Sequence, residues 1–237
     1  MKPPQDKATA HGLRVVAWEL TRRCVLECRH CRGAARDTDY SGELSTDECR
    51  AVIDGLASFS APLLILTGGE PMTRPDVYEI AAYAVGRGLR VVMAPCGYLV
   101  TPETAKKLKA SGVSGVSISL DGAQAGTHDA FRGVQGAFDA ACRAIRCTIA
   151  VGIGVQVNTT VTRHNAAELP AVLDLAVRLG ARTLDLFFLV PTGRGALLKD
   201  LSLDAAEYEK VLAWVADTAP RAPVRLKTTC APQSARR

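Results

Sequence analysis

The sequence predicts an α/β fold in which a parallel sheet and its crossover helices curve into a partial (β/α)6 barrel. Three observations carry this expectation. Short apolar runs alternate with amphipathic segments six times along the chain, the pattern of a parallel sheet with helical crossovers. Helix-start signals fall between those runs. The residues with evident chemistry sit at the C-terminal ends of successive runs, where parallel α/β folds build their sites.

In chain order, the first strand is expected over Leu13–Leu20, followed by a loop rich in cysteine and arginine. Ser45, with Glu48 three residues later, starts the first helix, since hydroxyl and carboxylate can each take a free amide. Strands two and three follow at Leu63–Thr67 and Leu89–Ala94. Thr101 before Pro102 caps the next helix, with proline at the first helical position. The last three strands are Val113–Leu120, Gly154–Val161 and Thr183–Val190. Asn165 with Glu168 and Asp204 with Glu207 mark two further helix starts. Right-handed crossovers permit either an open doubly wound sheet or a barrel. Groups converging from every strand end favour the curved sheet. Linkers are missing from the interior, so residues 13–220 are expected to form one core after a flexible segment over residues 1–12.

Composition narrows the classes. With 48% hydrophobic and 22% charged residues, the 237-residue chain reads as an ordinary globular protein. The net charge of +5 is not organised into a basic stripe interleaved with aromatics, so no nucleic-acid partner is expected. The opening MKPPQDKATAHG is unlike a signal peptide. Apolar runs fall short of the roughly 20 residues that span a bilayer. A cytoplasmic location is therefore expected, where the eight cysteines would stay out of disulfides. Cys49, Cys142 and Cys147 lie in helical patterns and read as small buried hydrophobes.

Cys24, Cys28 and Cys31 supply three thiolates within eight residues, at C-x3-C-x2-C spacing. Three ligands are one short of a closed structural zinc site. They suit an iron–sulfur cluster with three irons held and the fourth open. The competing zinc reading needs a histidine: His30 is awkwardly adjacent to Cys31, which leaves His11. After the second strand, Gly68 and Gly69 allow a close backbone approach and Glu70 can hold an ammonium group. Ser119 and Asp121 suit ribose hydroxyls, although Asp121 can equally cap its own loop. Arg132 can clamp a carboxylate with two hydrogen bonds or form a surface ion pair. Arg22, Arg23, Arg29, Arg32 and Arg36 crowd the cysteine loop, either to receive substrate carboxylates or to solvate it. Cys96 either packs or contacts a ligand, and His30 supports the cysteine loop. An ammonium, a carboxylate, a ribose and an open iron together fit S-adenosylmethionine.

The cysteine triplet combined with Gly68-Gly69-Glu70-Pro71 resembles the radical S-adenosylmethionine superfamily over roughly residues 14–230. The resemblance implies a [4Fe–4S] cluster on Cys24, Cys28 and Cys31, with S-adenosylmethionine chelating its fourth iron. Gly68, Gly69 and Glu70 would contact the amino group, and Ser119, Asp121 and Arg132 the ribose and carboxylate. Asn158, with Leu189 and Val190, would line ribose and adenine. The runs TRRCVLECRHCRGAA, MAPCGYLV, QVNTTVTRHNAAELP, FFLVPTGRG and KTTCAP are more narrowly similar to the heme-synthase branch, whose relatives make heme d1. Pro95-Cys96-Gly97 stands where many superfamily members carry Thr-Asn-Gly.

That narrower resemblance implies oxidative decarboxylation of porphyrin propionates, with iron-coproporphyrin III as substrate and a flavodoxin or ferredoxin as electron donor. It also implies a second cluster bound by further C-terminal cysteines. Residues 221–237 are thus expected to begin a truncated auxiliary-cluster region, in which Cys230 is the one available ligand. Two other readings stand beside it. One is a peptide-modifying radical enzyme that uses auxiliary clusters. The other is a core that binds cofactor or heme without completing turnover.

Overall fold

The computed structural model describes residues 12–231. Apart from Gly12, the expected flexible segment lies outside the described residues, as do His11 and the last six residues of the expected auxiliary region. Seven strands form one parallel sheet in sequential order. They are β1 (Val15–Thr21), β2 (Leu63–Gly68), β3 (Arg90–Met93), β4 (Gly115–Ser119), β5 (Gly154–Val161), β6 (Thr183–Phe188) and β7 (Arg225–Thr229). β1 and β7 do not pair, so the barrel is open.

The expected sheet of six strands gains the seventh, which pairs with β6 from Thr183↔Arg225 to Phe187↔Thr229. Its sequence, RLKTT, buries one residue, Leu226. A basic edge strand with a single buried side chain lacks the apolar run by which strands are recognised.

Helices connect the strands: α1 (Thr46–Phe59), α2 (Val77–Gly86), α3 (Pro102–Ala110), α4 (Ala125–Arg132), α5 (Ala137–Ala150), α6 (Leu169–Arg178) and α7 (Ala205–Thr218). Alternation along the strands separates two faces. Leu64, Leu66, Val91, Met93, Val116 and Ile118 are buried in the same core as Ile80, Ala84, Leu108 and Ile145 of the helices. The intervening positions, such as Ile65, Val92, Ser117 and Gln156, line the lumen. Among the described residues, no helix is long and apolar enough to cross a membrane.

Capping boxes form at Ser45/Glu48, Thr101/Thr104 and Asp204/Glu207. The box expected at Asn165/Glu168 does not. Asn165 accepts from the Thr162 amide and donates to the carbonyls of Asp121 and Thr160. The Glu168 carboxylate accepts from the Ala123 amide and the Thr127 hydroxyl. Both residues thus hold the loop after β4, and a short helical turn (Ala166–Glu168) leads into α6 instead.

Candidate active site

The loop after β1 carries the three cysteines. The Cys24 amide donates to the Arg36 carbonyl at 3.0 Å, which brings the two ends of the loop together. Each sulfur accepts one hydrogen bond from an N–H group. Leu26 N–H reaches Cys24 Sγ at 3.4 Å, Ala35 N–H reaches Cys31 Sγ at 3.4 Å, and Arg132 Nη1 reaches Cys28 Sγ at 3.7 Å. All three thiols line one cavity of about 280 Å³, together with Gly68, Gly69, Cys96, Ser119 and Asn158. A hydrogen bond from Cys96 is the largest influence on the Cys24 thiol and draws it below its ordinary range, while Cys96 itself is pushed well up. Burial pushes Cys28 up.

Three supports fix this loop. The first is the close backbone approach of a glycine pair. Gly69 sits so near the loop that a Cβ would lie 2.2 Å from the Arg23 carbonyl oxygen. Gly68, at φ +134°, would place one 2.2 Å from the Thr21 oxygen. The glycine pair therefore lets β2 dock under the cysteine loop, where Gly69 and Glu70 amides donate to Thr21 and Arg23 at 2.7 Å. The second support is the end of α4. Phe131 stacks on His30 at 4.3 Å, its carbonyl accepts from Arg29 N–H, and Gly133 packs against Glu27. The third comes from the turn after β6, where Arg194 donates to the carbonyls of Cys28 (2.8 Å) and Ala35 (2.6 Å).

The expected binding residues divide into two groups. Gly68, Gly69, Ser119, Asn158 and Arg132 come together on the cavity wall with the cysteines. Glu70 and Asp121 are fully buried and are not among the residues lining it. The Glu70 oxygens accept from the amides of Met72 (2.9 Å) and Cys96 (2.6 Å). One Asp121 oxygen takes Arg132 Nε and Nη2, each at 2.6 Å, and the other takes the Thr160 amide at 2.7 Å. Leu189 and Val190 also lie off the cavity lining; Val190 is exposed and Leu189 packs near Gly195. Of the crowded arginines, Arg23 pairs with Asp37 and Asp39, Arg32 with Glu19, and Arg22 lies over Tyr40.

Arg194 and His128 are supporting residues that escaped the sequence reading. Arg194 is 166 positions from Cys28, so no local pattern announces their contact. His128 accepts from the Asp121 amide through Nδ1. His30 is held near a pKa of about 4, chiefly by burial and then by repulsion from Arg132. Its Nδ1 is buried without a hydrogen-bond partner among the described residues. Cys49 and Cys142 are buried as expected. Cys230 is exposed at positive φ beyond β7.

A cluster fits this donor set. Among the described residues, no three His, Cys, Asp or Glu side chains converge on the position of a single metal ion. The cysteine sulfurs nevertheless share a cavity, as they must to bind three separate irons. His30, whose buried Nδ1 has no hydrogen-bond partner among the described residues, lines the same cavity.

The chain belongs to the radical SAM superfamily, whose model matches residues 18–176. Within it, the chain is 50% identical over 234 residues to an AdoMet-dependent heme synthase of Nitratidesulfovibrio vulgaris, covering 94% of this chain and 64% of that protein. A Methanosarcina barkeri Fe-coproporphyrin III synthase is 44% identical, with 80% of this chain and 48% of that protein covered. The chain thus spans less than two thirds of the length of these relatives. Streptococcus suis SuiB bound to its precursor peptide shares the fold at a TM-score of 0.77 and 17% identity, over 92% of this chain and 49% of that one. The AdoMet-bound anSMEcpe superposes at 0.72 and 18% identity, over 90% and 63%.

Proposed function

We propose that this chain is the radical-generating core of an oxidative decarboxylase acting on porphyrin propionates, with a [4Fe–4S] cluster on Cys24, Cys28 and Cys31. The observation that carries the reading is the shared cavity, in which Cys24, Cys28 and Cys31 meet Gly68, Gly69, Ser119, Asn158 and Arg132. When bound, the cluster and S-adenosylmethionine supply one-electron reductive cleavage and hydrogen abstraction from a propionate β-carbon.

The chain's residues have distinct tasks. Gly68 and Gly69 offer backbone carbonyls to the amino group, while Glu70 braces the wall by holding the Cys96 amide. Arg132 spends three of its five N–H donors on Asp121 and Cys28, which leaves two for a carboxylate. Asp121 acts through Arg132, as a positioning residue. Ser119 and Asn158 receive the ribose; Gln156 orients Asn158 by donating to its oxygen at 2.8 Å. Holding these groups in one place before reaction removes the orientational cost of bringing them together.

The test is anaerobic reconstitution with iron and sulfide, followed by reduction and assay of 5′-deoxyadenosine with and without iron-coproporphyrin III. Cleavage with vinyl formation supports the full reading. Cleavage without it restricts the chain to radical generation, and no cleavage from a fully loaded cluster refutes both.

A further inference from the structure

Below the cysteine cavity the lumen of the open barrel continues. Ser117 on β4 lines both that cavity and a second one, of about 530 Å³, at the N-terminal ends of the strands. This lower cavity has two kinds of wall. Val15, Leu63, Ile65 and Val92 make an aliphatic side, and Val15 is 52% exposed there. Arg90, Arg182, Arg225 and Lys227 supply cations, whereas no acidic residue among the described residues lines the cavity.

Three of the four cations are uncommitted. Lys227 is paired with the buried Asp185 at 2.7 Å, and Asp185 is further held by Thr229 and Gln156. The guanidinium groups of Arg90, Arg182 and Arg225 have no ion pair or hydrogen bond among the described residues. A concave site lined by one sign of charge focuses its field and concentrates ligands of the opposite sign. Guanidinium groups suit carboxylates in particular, through paired N–H donors.

We propose that the lower cavity binds the carboxylate-bearing edge of a flat, apolar substrate whose reacting edge lies beside the cysteine cavity. The inference rests on the decarboxylase reading and adds to it a residue set for substrate orientation. The aliphatic wall covers the ring face, and Arg90, Arg182 and Arg225 hold carboxylates that do not react. With six residues in β2, the lumen runs about 20 Å from mouth to cysteine end. A rigid ring with carboxylates on opposite edges can therefore engage both ends. Holding the distant edge would select which propionate faces the site of radical formation.

The test is an absorbance titration of the full chain with iron-coproporphyrin III and with its tetramethyl ester, alongside S-adenosylmethionine binding. The comparison is between the wild type and a triple variant, Arg90→Gln, Arg182→Gln and Arg225→Gln. These side chains are exposed, so the variant should fold, and its melting curve checks this. The expected result is at least tenfold weaker binding of the tetra-acid by the triple variant. Affinity for the ester and for S-adenosylmethionine should remain within twofold. A control that removes Arg146, Arg178 and Lys210 from outer helices should bind the acid as the wild type does. Equal binding of the acid by wild type and triple variant, or equal loss in the control, overturns the inference and leaves the decarboxylase reading intact. Wild-type protein that binds S-adenosylmethionine but not the tetra-acid overturns the porphyrin reading itself.

Discussion

Replacing Asp121 with asparagine keeps the shape of the side chain and removes the charge opposite Arg132. The pair is among the most buried in the chain, with side-chain exposures of 10% for Arg132 and 0% for Asp121. Leaving one member of a buried pair uncompensated costs about 3–5 kcal/mol, a large share of the roughly 5–15 kcal/mol that holds a domain folded. With an m-value of about 2–3 kcal/mol/M in urea, the unfolding midpoint should fall by roughly 1–2.5 M. The assay is equilibrium urea unfolding of the reduced, cluster-free chain. The double variant, Asp121→Asn with Arg132→Gln, should lose less than the sum of the single losses, because the second change removes the stranded charge. Acidity provides an independent check. Burial is the largest influence on Asp121 and pushes its pKa up, but Arg132, His30, His128 and the Thr160 amide hold it below the ordinary value. A carboxylate with a depressed folded-state pKa stabilises fully above its unfolded value, near 3.9, and loses that contribution as pH falls through the folded one. The stability gap between wild type and Asp121→Asn should therefore be flat from pH 8 to 5 and narrow below about pH 4. A midpoint change under about 0.3 M, or a gap that widens in acid, would refute the reasoning.

Other outcomes follow from the supports of the cysteine loop. Gly69→Ala places a methyl group against the fixed Arg23 carbonyl, so β2 cannot dock; reconstituted iron per chain should fall to near background. Arg194→Met removes two hydrogen bonds to the loop carbonyls and should destabilise the chain by about 1.5–3 kcal/mol in urea unfolding. That variant should also release iron to a chelator faster than the wild type; an unchanged rate would mean that the turn after β6 does not brace the loop. Cys24→Ala should abolish the visible cluster absorption after reconstitution. Wild-type iron content in that variant would remove the basis for the cluster assignment.

What could be read from the sequence follows the range of the forces involved. β5 occurs at Gly154–Val161, as expected, because glycine opens it and strict alternation runs through it. β7 escaped because its stabilisation comes from pairing with β6 and one buried leucine, neither of which leaves an apolar run. Asn165 and Glu168 carry the letters of a capping box, yet their side chains satisfy amides and carbonyls around the loop after β4. The pattern is the same for local and tertiary partners, so spacing cannot tell them apart.

The candidate site adds a sharper lesson about charge. Considered one at a time, Glu70, Asp121 and Arg132 all look like ligand-binding groups. A fully buried carboxylate, however, must have its partners in the folded protein, because an unpaired one costs more than the fold can bear. Glu70 and Asp121 have theirs, in backbone amides and a guanidinium. Of the expected binding residues, those on the cavity wall are glycine backbone, a hydroxyl, a carboxamide and an arginine with donors to spare. Burial thus sorts the motif residues into those enclosed with their partners and those on the cavity wall. The same argument separates Arg132, committed and enclosed, from Arg90, Arg182 and Arg225, uncommitted at the open end of the lumen.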